Sequence, residues 1–204
     1  PYGASKASAR HLVKVYRDSY NLYAVQGWLF NHEGTRRGEE FVTRKISKGV
    51  AMIVKDIEKG NKITPISLGN LDAKRDWSDA EDFTEGVWLM LNNKLGPKDY
   101  VLSSGSTYSI RQFVEAAFSA ANIPCYWTGS GLKEKLIISN DISEELSLSA
   151  QELVNINQEF YRPAEVDLLQ GDSRMAENDL HWKRKTSFRE LVEKMYKNDY
   201  KLLK

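Results

Sequence analysis

Two residues near the start of the chain are of types that exchange a proton with an alcohol. Tyr2 and Lys6 stand four positions apart at the head of an amphipathic segment. On a helix that spacing puts both side chains on one face, about one turn apart. A phenol ordinarily titrates near pH ~10, so it accepts a proton at neutral pH only where something favours its phenolate. A neighbouring ammonium does so electrostatically. The pairing suits movement of a proton on or off an alcohol while a nicotinamide takes or gives the hydride. Spacing alone decides nothing, because Tyr200 and Lys204 repeat it at the other end of the chain and a solvated helix-face pair has the same pattern.

Three further polar clusters carry groups suited to anions. In Asn31-His32-Glu33 with Arg36-Arg37-Gly38, adjacent arginines precede a glycine, and the guanidinium fork presents paired donors to phosphate or carboxylate. An exposed loop with ordinary surface charge reads the same way, and His32 alone is as well explained by a structural role. In Gly69-Asn70-Leu71-Asp72-Ala73-Lys74-Arg75-Asp76-Trp77, Lys74 and Arg75 beside a glycine turn suit a diphosphate; a charged loop before a capped helix is the alternative. In Tyr161-Arg162-Pro163-Ala164-Glu165-Val166-Asp167, Arg162 offers a diphosphate donor and Glu165 an acceptor for a ribose diol. Charge pairing at a helix start explains that segment equally well.

These clusters need elements to position them. Apolar residues at helical spacing predict a helix over residues 3–20. Residues 22–30 read as a buried parallel strand and 31–38 as a polar loop. A long helix is expected over 40–58, with Phe41, Ile46, Val50, Ile53, Val54 and Ile57 as its core stripe. A strand follows at 66–69, then a helix over 78–93 with a capping box at Ser78 and Glu81. A strand at 99–103, a helix at 109–122 and strands at 123–128 and 135–139 come next. Residues 140–158 are polar and read as a loop or weak helix, and helices over 173–180 and 187–200 close the chain. Strands alternate with helices, which argues an α/β fold with a largely parallel sheet. Ligands of such sheets bind at strand ends, where the clusters fall.

The bulk numbers exclude several classes. With 204 residues, 41% of them hydrophobic, the chain can bury one sizeable core or two small ones. Lys plus Arg number 29 against 28 acidic residues, so no global nucleic-acid footprint exists and any anion site is local. The one cysteine, Cys125, excludes an intrachain disulfide, fits a reducing compartment and reads as a small core residue. No apolar stretch approaches the ~20 residues of a membrane-spanning helix, and no metal spacing occurs. A soluble cytoplasmic protein without nucleic-acid or membrane partners is expected.

In their order along the chain, the clusters resemble the C-terminal part of the GDP-mannose 4,6-dehydratase family of extended short-chain dehydrogenases/reductases. The resemblance rests on Tyr2-x-x-x-Lys6, Leu29-Phe30-Asn31-His32-Glu33, Arg36-Arg37-Gly38 and Phe41-Val42-Thr43-Arg44-Lys45-Ile46. It continues through Leu68 to Trp77, Trp88-Leu89-Met90-Leu91 and Arg162-Pro163-Ala164-Glu165-Val166-Asp167 to Gly171-Asp172. It runs nearly the whole chain and is weakest over residues 128–158.

The resemblance implies the C-terminal part of a Rossmann-like parallel sheet interleaved with a smaller α/β substrate-binding lobe. Residues 1–38 and 72–104 would be the remainder of an NADP-binding domain, and 39–71 and 105–204 the nucleotide-sugar lobe. It implies that Tyr2 takes the proton from the sugar 4-hydroxyl and that Lys6 holds the nicotinamide ribose. His32 and Arg37 would contact NADP. Asn31, Val42, Lys45, Arg75, Arg162 and Glu165 would bind GDP-mannose, the arginines on the diphosphate and Glu165 on the ribose. The product would be GDP-4-keto-6-deoxymannose, on the route to GDP-fucose or related deoxysugars. Gly34-Thr35 stands where the family has Ser-Pro, a departure that bears on loop rigidity and on cofactor contacts across a subunit interface. Gly3-Ala4-Ser5 and Ala7-Ser8-Ala9-Arg10 also depart from the family pattern.

The 204 residues contain no Gly-rich phosphate loop, and the family's water-eliminating groups lie upstream of its tyrosine. Two expectations follow. The chain is a portion of a lyase whose N-terminal half lies outside it, acting as a homo-oligomer or with that half. Alternatively it is a truncated, non-catalytic nucleotide-sugar-binding or interaction module. A related reductase or epimerase is a third reading. An isolated chain of this kind is expected to be poorly soluble, because a strand meant for a sheet interior would expose its ladder groups.

Overall fold

The computed structural model describes residues 1–139, 151–161, 166 and 168–203. They form two compact units. The first comprises Pro1–His32, Asp76–Ser106 and Gln170–Thr186; the second comprises Glu33–Arg75, Thr107–Leu169 and Ser187–Lys204.

In the first unit, helix α1 (Tyr2–Tyr20) stops at Asn21, which takes a left-handed φ of 52°. Asparagine tolerates that conformation better than most residues, which is why the helix ends there. Strand β1 (Gln26–Leu29) follows, then β2 (Asn31–Glu33), where the polar loop was expected to begin. β1 runs parallel to the strand Asp99–Leu102, in register from Gln26 opposite Asp99 to Leu29 opposite Leu102. Arg17 in the last turn of α1 donates to Ala24 O and to Asp99, tying the helix end to both strands. The burial expected of these elements is not seen. No residue of α1 is buried, and Trp28 and Leu29 are 41% and 40% exposed. Periodicity sets the helix, but burial needs a covering element, and none of the described residues covers these faces.

Further along, α3 (Ala80–Leu91) is capped by Asp79, whose side chain accepts from Glu81 N at 2.9 Å. The expected Ser78 cap is therefore displaced by one residue, because the strand Trp77–Asp79 runs on through Asp79 and the helix starts only at Ala80. Residues 170–186, expected with the binding lobe, fold with the first unit. The helix Arg174–Leu180 and Trp182 after it bury Ala176, Leu180 and the indole against Phe83, Met90, Tyr100 and Leu102. Trp182 Nε1 donates to Asp82 O at 2.9 Å, and the Asp82 carboxylate accepts from Lys185 N and Thr186 N, each at 3.0 Å.

The second unit packs three helices on one another and on a small sheet. Helix α2 (Val42–Lys59) buries Ile46, Val50 and Ile53 and ends at Gly60, whose φ of 67° suits glycine. Phe41, expected in its core stripe, is the N-cap and stays exposed. Helix Ile110–Ala120 starts at a Ser109–Gln112 capping box and helix Phe188–Leu202 at a Ser187–Glu190 box, each satisfying backbone donors reciprocally. Their facing sides bury Phe113, Val114, Ala117, Leu191, Val192 and Met195.

The sheet orders Ile66–Leu68, Glu152–Ile156, Lys135–Ile138 and Cys125–Thr128, the first pair parallel and the others antiparallel. Glu152–Ile156 overturns the expectation of a loop or weak helix for its part of 140–158; residues 140–150 lie outside the described ones. Leu153 and Val154 are fully buried, so two apolar residues in a polar stretch suffice for a central strand. No helix among the described residues is long and apolar enough to cross a membrane.

Asp82 is one polar tie of the first unit's core. Asp82→Ala removes the acceptor of two half-buried backbone N–H groups, at about 0.5–1.5 kcal/mol for each bond. Urea unfolding should show that loss, with Asp82→Asn, which keeps an acceptor oxygen, intermediate. An Asp82→Ala midpoint equal to wild type would show that the tie contributes nothing.

Candidate active site

The first turn of α1 puts Tyr2 and Lys6 together as their spacing requires, with Lys6 Nζ 5.3 Å from the phenol ring centroid. Tyr2 is 76% exposed and Lys6 is also exposed, so the pair faces outward. Ser5 Oγ turns back to donate to Tyr2 O at 2.7 Å. The second tyrosine with this spacing is otherwise engaged. Tyr200 donates its hydroxyl to Glu58 and lies beneath Lys55 Nζ, 3.8 Å from its ring centroid; Lys204 lies outside the described residues.

At the C-terminal end of β1, Phe30 N donates to Leu102 O at 3.0 Å, and Asn31 and His32 follow half-buried. The His32 ring stacks on Phe83 at 5.2 Å between centroids. Its Nδ1 lies 2.8 Å from Phe30 O. A carbonyl only accepts, so Nδ1 carries the proton, leaving Nε2 as the acceptor of the neutral ring. Beside this strand end, the fully buried Asp76 carboxylate accepts from Ser104 N at 2.6 Å, Gly105 N at 2.9 Å and Gly171 N at 3.2 Å. Gly171 is required there, since a Cβ would fall 2.3 Å from Ser103 Cβ. Ser78 Oγ and Ser103 Oγ are buried with no hydrogen-bond partner among the described residues.

The second unit holds Arg37, Val42, Lys45 and Arg75. Arg37 is preset from two sides. Its Nε lies 3.0 Å from Oε2 of buried Glu33, a charge pairing, and its guanidinium carbon lies 3.5 Å from the Phe41 ring centroid. Glu33 Oε2 also accepts from Thr43 Oγ1 at 2.6 Å. Val42 opens α2, whose N-cap, Phe41, offers no side-chain acceptor to the first-turn backbone donors. Lys45, one turn on, is half-buried with Nζ 3.6 Å from the Phe160 ring centroid. Burial holds its ammonium below the usual lysine range. Phe160 reaches it because Gly69 lets the backbone pass; a Cβ at Gly69 would fall 2.5 Å from Phe160 O.

Arg75 is turned onto backbone, donating to Lys74 O at 2.8 Å and to Val166 O at 2.5 Å. Arg162 and Glu165 lie outside the described residues. Two oriented cations beside uncapped helix donors make an arrangement that can hold phosphate groups.

A family model described as GDP-mannose 4,6 dehydratase matches residues 1–195. The chain belongs to that family. It is 43% identical over 204 residues to a GDP-mannose 4,6 dehydratase of Drosophila melanogaster, covering 100% of this chain and 48% of that protein. With the Homo sapiens GDP-mannose 4,6 dehydratase the identity is 42% over 204 residues, covering 100% of this chain and 51% of that one. The chain spans about half the length of the curated relatives it matches. RMD from Pseudomonas aeruginosa, solved in complex with NADPH, has the same fold. The match has a TM-score of 0.69 at 15% identity, over 98% of this chain and 56% of that one. This dehydratase-family chain is therefore α/β with Rossmann-like parallel strands.

Sequence reasoning assigned no role to Glu33, Arg44, Asp76, Phe160 or Asp199, although each shapes the surroundings of a candidate residue. Only their charge or aromaticity beside the quoted motifs pointed to them. Cys125 is no nucleophile. Burial first, then the Glu115 carboxylate, pushes its thiol up to about 11 from 9.0. Two units leave about a hundredfold less thiolate at pH 8 than an unperturbed cysteine has. Iodoacetamide should therefore label the folded chain slowly at pH 8, with a rate still rising toward pH 11. Labelling as fast as in the urea-unfolded chain would contradict the assignment.

Proposed function

We propose that this chain works as part of a GDP-mannose 4,6-dehydratase, a lyase that converts GDP-mannose to GDP-4-keto-6-deoxymannose with NADP as resident cofactor. The observation that carries the reading is Tyr2 and Lys6 sharing one helical turn in a chain of this family. NADP fits the donor set. Lys6, His32 and Arg37 offer an ammonium, an imidazole and a guanidinium to a ribose and to phosphates, and Arg37 is already oriented by Glu33 and Phe41.

Tyr2 accepts the proton of the sugar 4-hydroxyl through its phenolic oxygen, and the Lys6 ammonium holds the nicotinamide ribose. When bound, NADP supplies the chemistry of taking the hydride from C4 and returning it at C6. Water leaves across C5 and C6 between those events, with no residue of this chain assigned to that elimination. Arg75 and Arg162 hold the diphosphate and Glu165 the ribose diol. Asn31, Val42 and Lys45 place the nucleotide sugar, with Lys45 kept in position by Phe160. A cytoplasmic homo-oligomer feeding GDP-fucose or related deoxysugar synthesis agrees with this reading.

The test uses a chain extended to the relatives' full length, with GDP-mannose and NADP. Tyr2→Phe should lower turnover by about 10²–10⁴-fold while leaving the KM for GDP-mannose nearly unchanged. Undiminished turnover in Tyr2→Phe would sink the proposal. GDP affinity without any keto-sugar product, in the extended chain as well as the 204-residue one, would favour a non-catalytic binding module.

A further inference from the structure

The loop from Gly34 to Phe41 contains two glycines and no proline, so its covalent chain does little to fix its shape. It nevertheless carries Arg37, read above as a cofactor contact. What fixes the loop is Arg44 in the first turn of α2. Arg44 Nη1 donates to two loop carbonyls, Thr35 O at 2.9 Å and Arg37 O at 2.8 Å. Its Nη2 lies 2.7 Å from Oδ1 of Asp199, near the end of the helix Phe188–Leu202. Asp199 is buried, and its other oxygen accepts from Ser47 Oγ at 2.6 Å.

We infer that Asp199 is a positioning residue: through Arg44 it sets the backbone of the arginine loop, and with it the aim of the Arg37 guanidinium. A buried guanidinium is tolerated only when its charge is paired. Asp199 supplies the pairing charge. Without it the Arg44 side chain gains by moving its head toward water, and both loop carbonyls lose their donor. Glu33 and Phe41 orient the Arg37 side chain, but the carbonyl that Arg44 holds belongs to Arg37 itself. The loop is therefore set from its side chain and from its backbone by separate partners. Ser47 adds direction, since its hydroxyl uses the Asp199 oxygen that Arg44 does not. The functional part of the inference rests on the reading of Arg37 as a cofactor contact; the geometric part does not.

Hydrogen exchange in the 204-residue chain tests the clamp. Asp199→Asn keeps the shape and removes the charge. Exchange of amides 34–38 should speed up about tenfold or more, while the middle of α2 and of the C-terminal helix stays within about twofold of wild type. The Arg37 Nε–H resonance should shift or broaden in the same variant. Arg44→Lys keeps a cation but cannot span two carbonyls and a carboxylate, and should reproduce the loop effect; it carries the test if Asp199→Asn does not fold. Unchanged loop exchange overturns the inference, and so does faster exchange spread evenly over the unit.

In a chain of the relatives' full length, Asp199→Asn should weaken NADP binding. Wild-type NADP affinity with a loosened loop would overturn the functional link. Arg37→Ala tests the underlying reading separately. Unchanged NADP affinity in that variant removes the cofactor assignment and leaves the exchange results standing.

Discussion

A carboxylate taken out of water must be compensated, and the described units are organised around that requirement. Asp76 shows it most plainly. It is fully buried, and it accepts backbone N–H groups from Ser104, Gly105 and Gly171, which belong to two separate stretches of chain. Neither stretch is regular structure, so no ladder would hold it. One charged acceptor satisfies all three donors and brings Ser103 against Gly171 closely enough to exclude a Cβ. The end of β1, with His32, lies in the same unit, and its surroundings inherit that order.

The same logic recurs with side-chain partners. Asp82 satisfies the backbone entering the last helix of the chain, and Trp182 reads its carbonyl. In the second unit Glu33 binds Thr43 and Arg37, while Asp199 binds Ser47 and Arg44. Each acid fastens a segment that periodic hydrophobicity alone would leave loose. Removing one partner of such a set costs more than the pair contributes, because the other is left charged in a poor solvent. Arg37 is thus carried on a loop held by two acids, Glu33 directly and Asp199 through Arg44.

That division explains how much was legible in the sequence. Helix periodicity located α1, α2 and the closing helices, since a 3.6-residue repeat and its caps are local properties. Glu152–Ile156 was missed because its strand character depends on neighbours on both sides, and its polar flanks imitate a loop. The Asp79 cap was misplaced by one residue because Ser78 and Asp79 are both good caps and only the preceding strand chooses between them. Candidate ligand groups stood out as charges near glycines. Arg44 and Asp199 did not, because the sequence places 154 positions between them and their pairing exists only once two helices pack.

Charge near a glycine is also an imperfect guide to which cation is poised. Arg36, Arg37, Arg44 and Arg75 all fall within or beside the quoted clusters, yet they do different work. Arg36 is exposed, while Arg37 rests on Glu33 and Phe41 with its side chain near the surface. Arg44 points inward onto carbonyls and Asp199. Arg75 donates through one nitrogen, Nη1, to the carbonyls of Lys74 and Val166, so a charge beside a glycine here serves the backbone of its own unit.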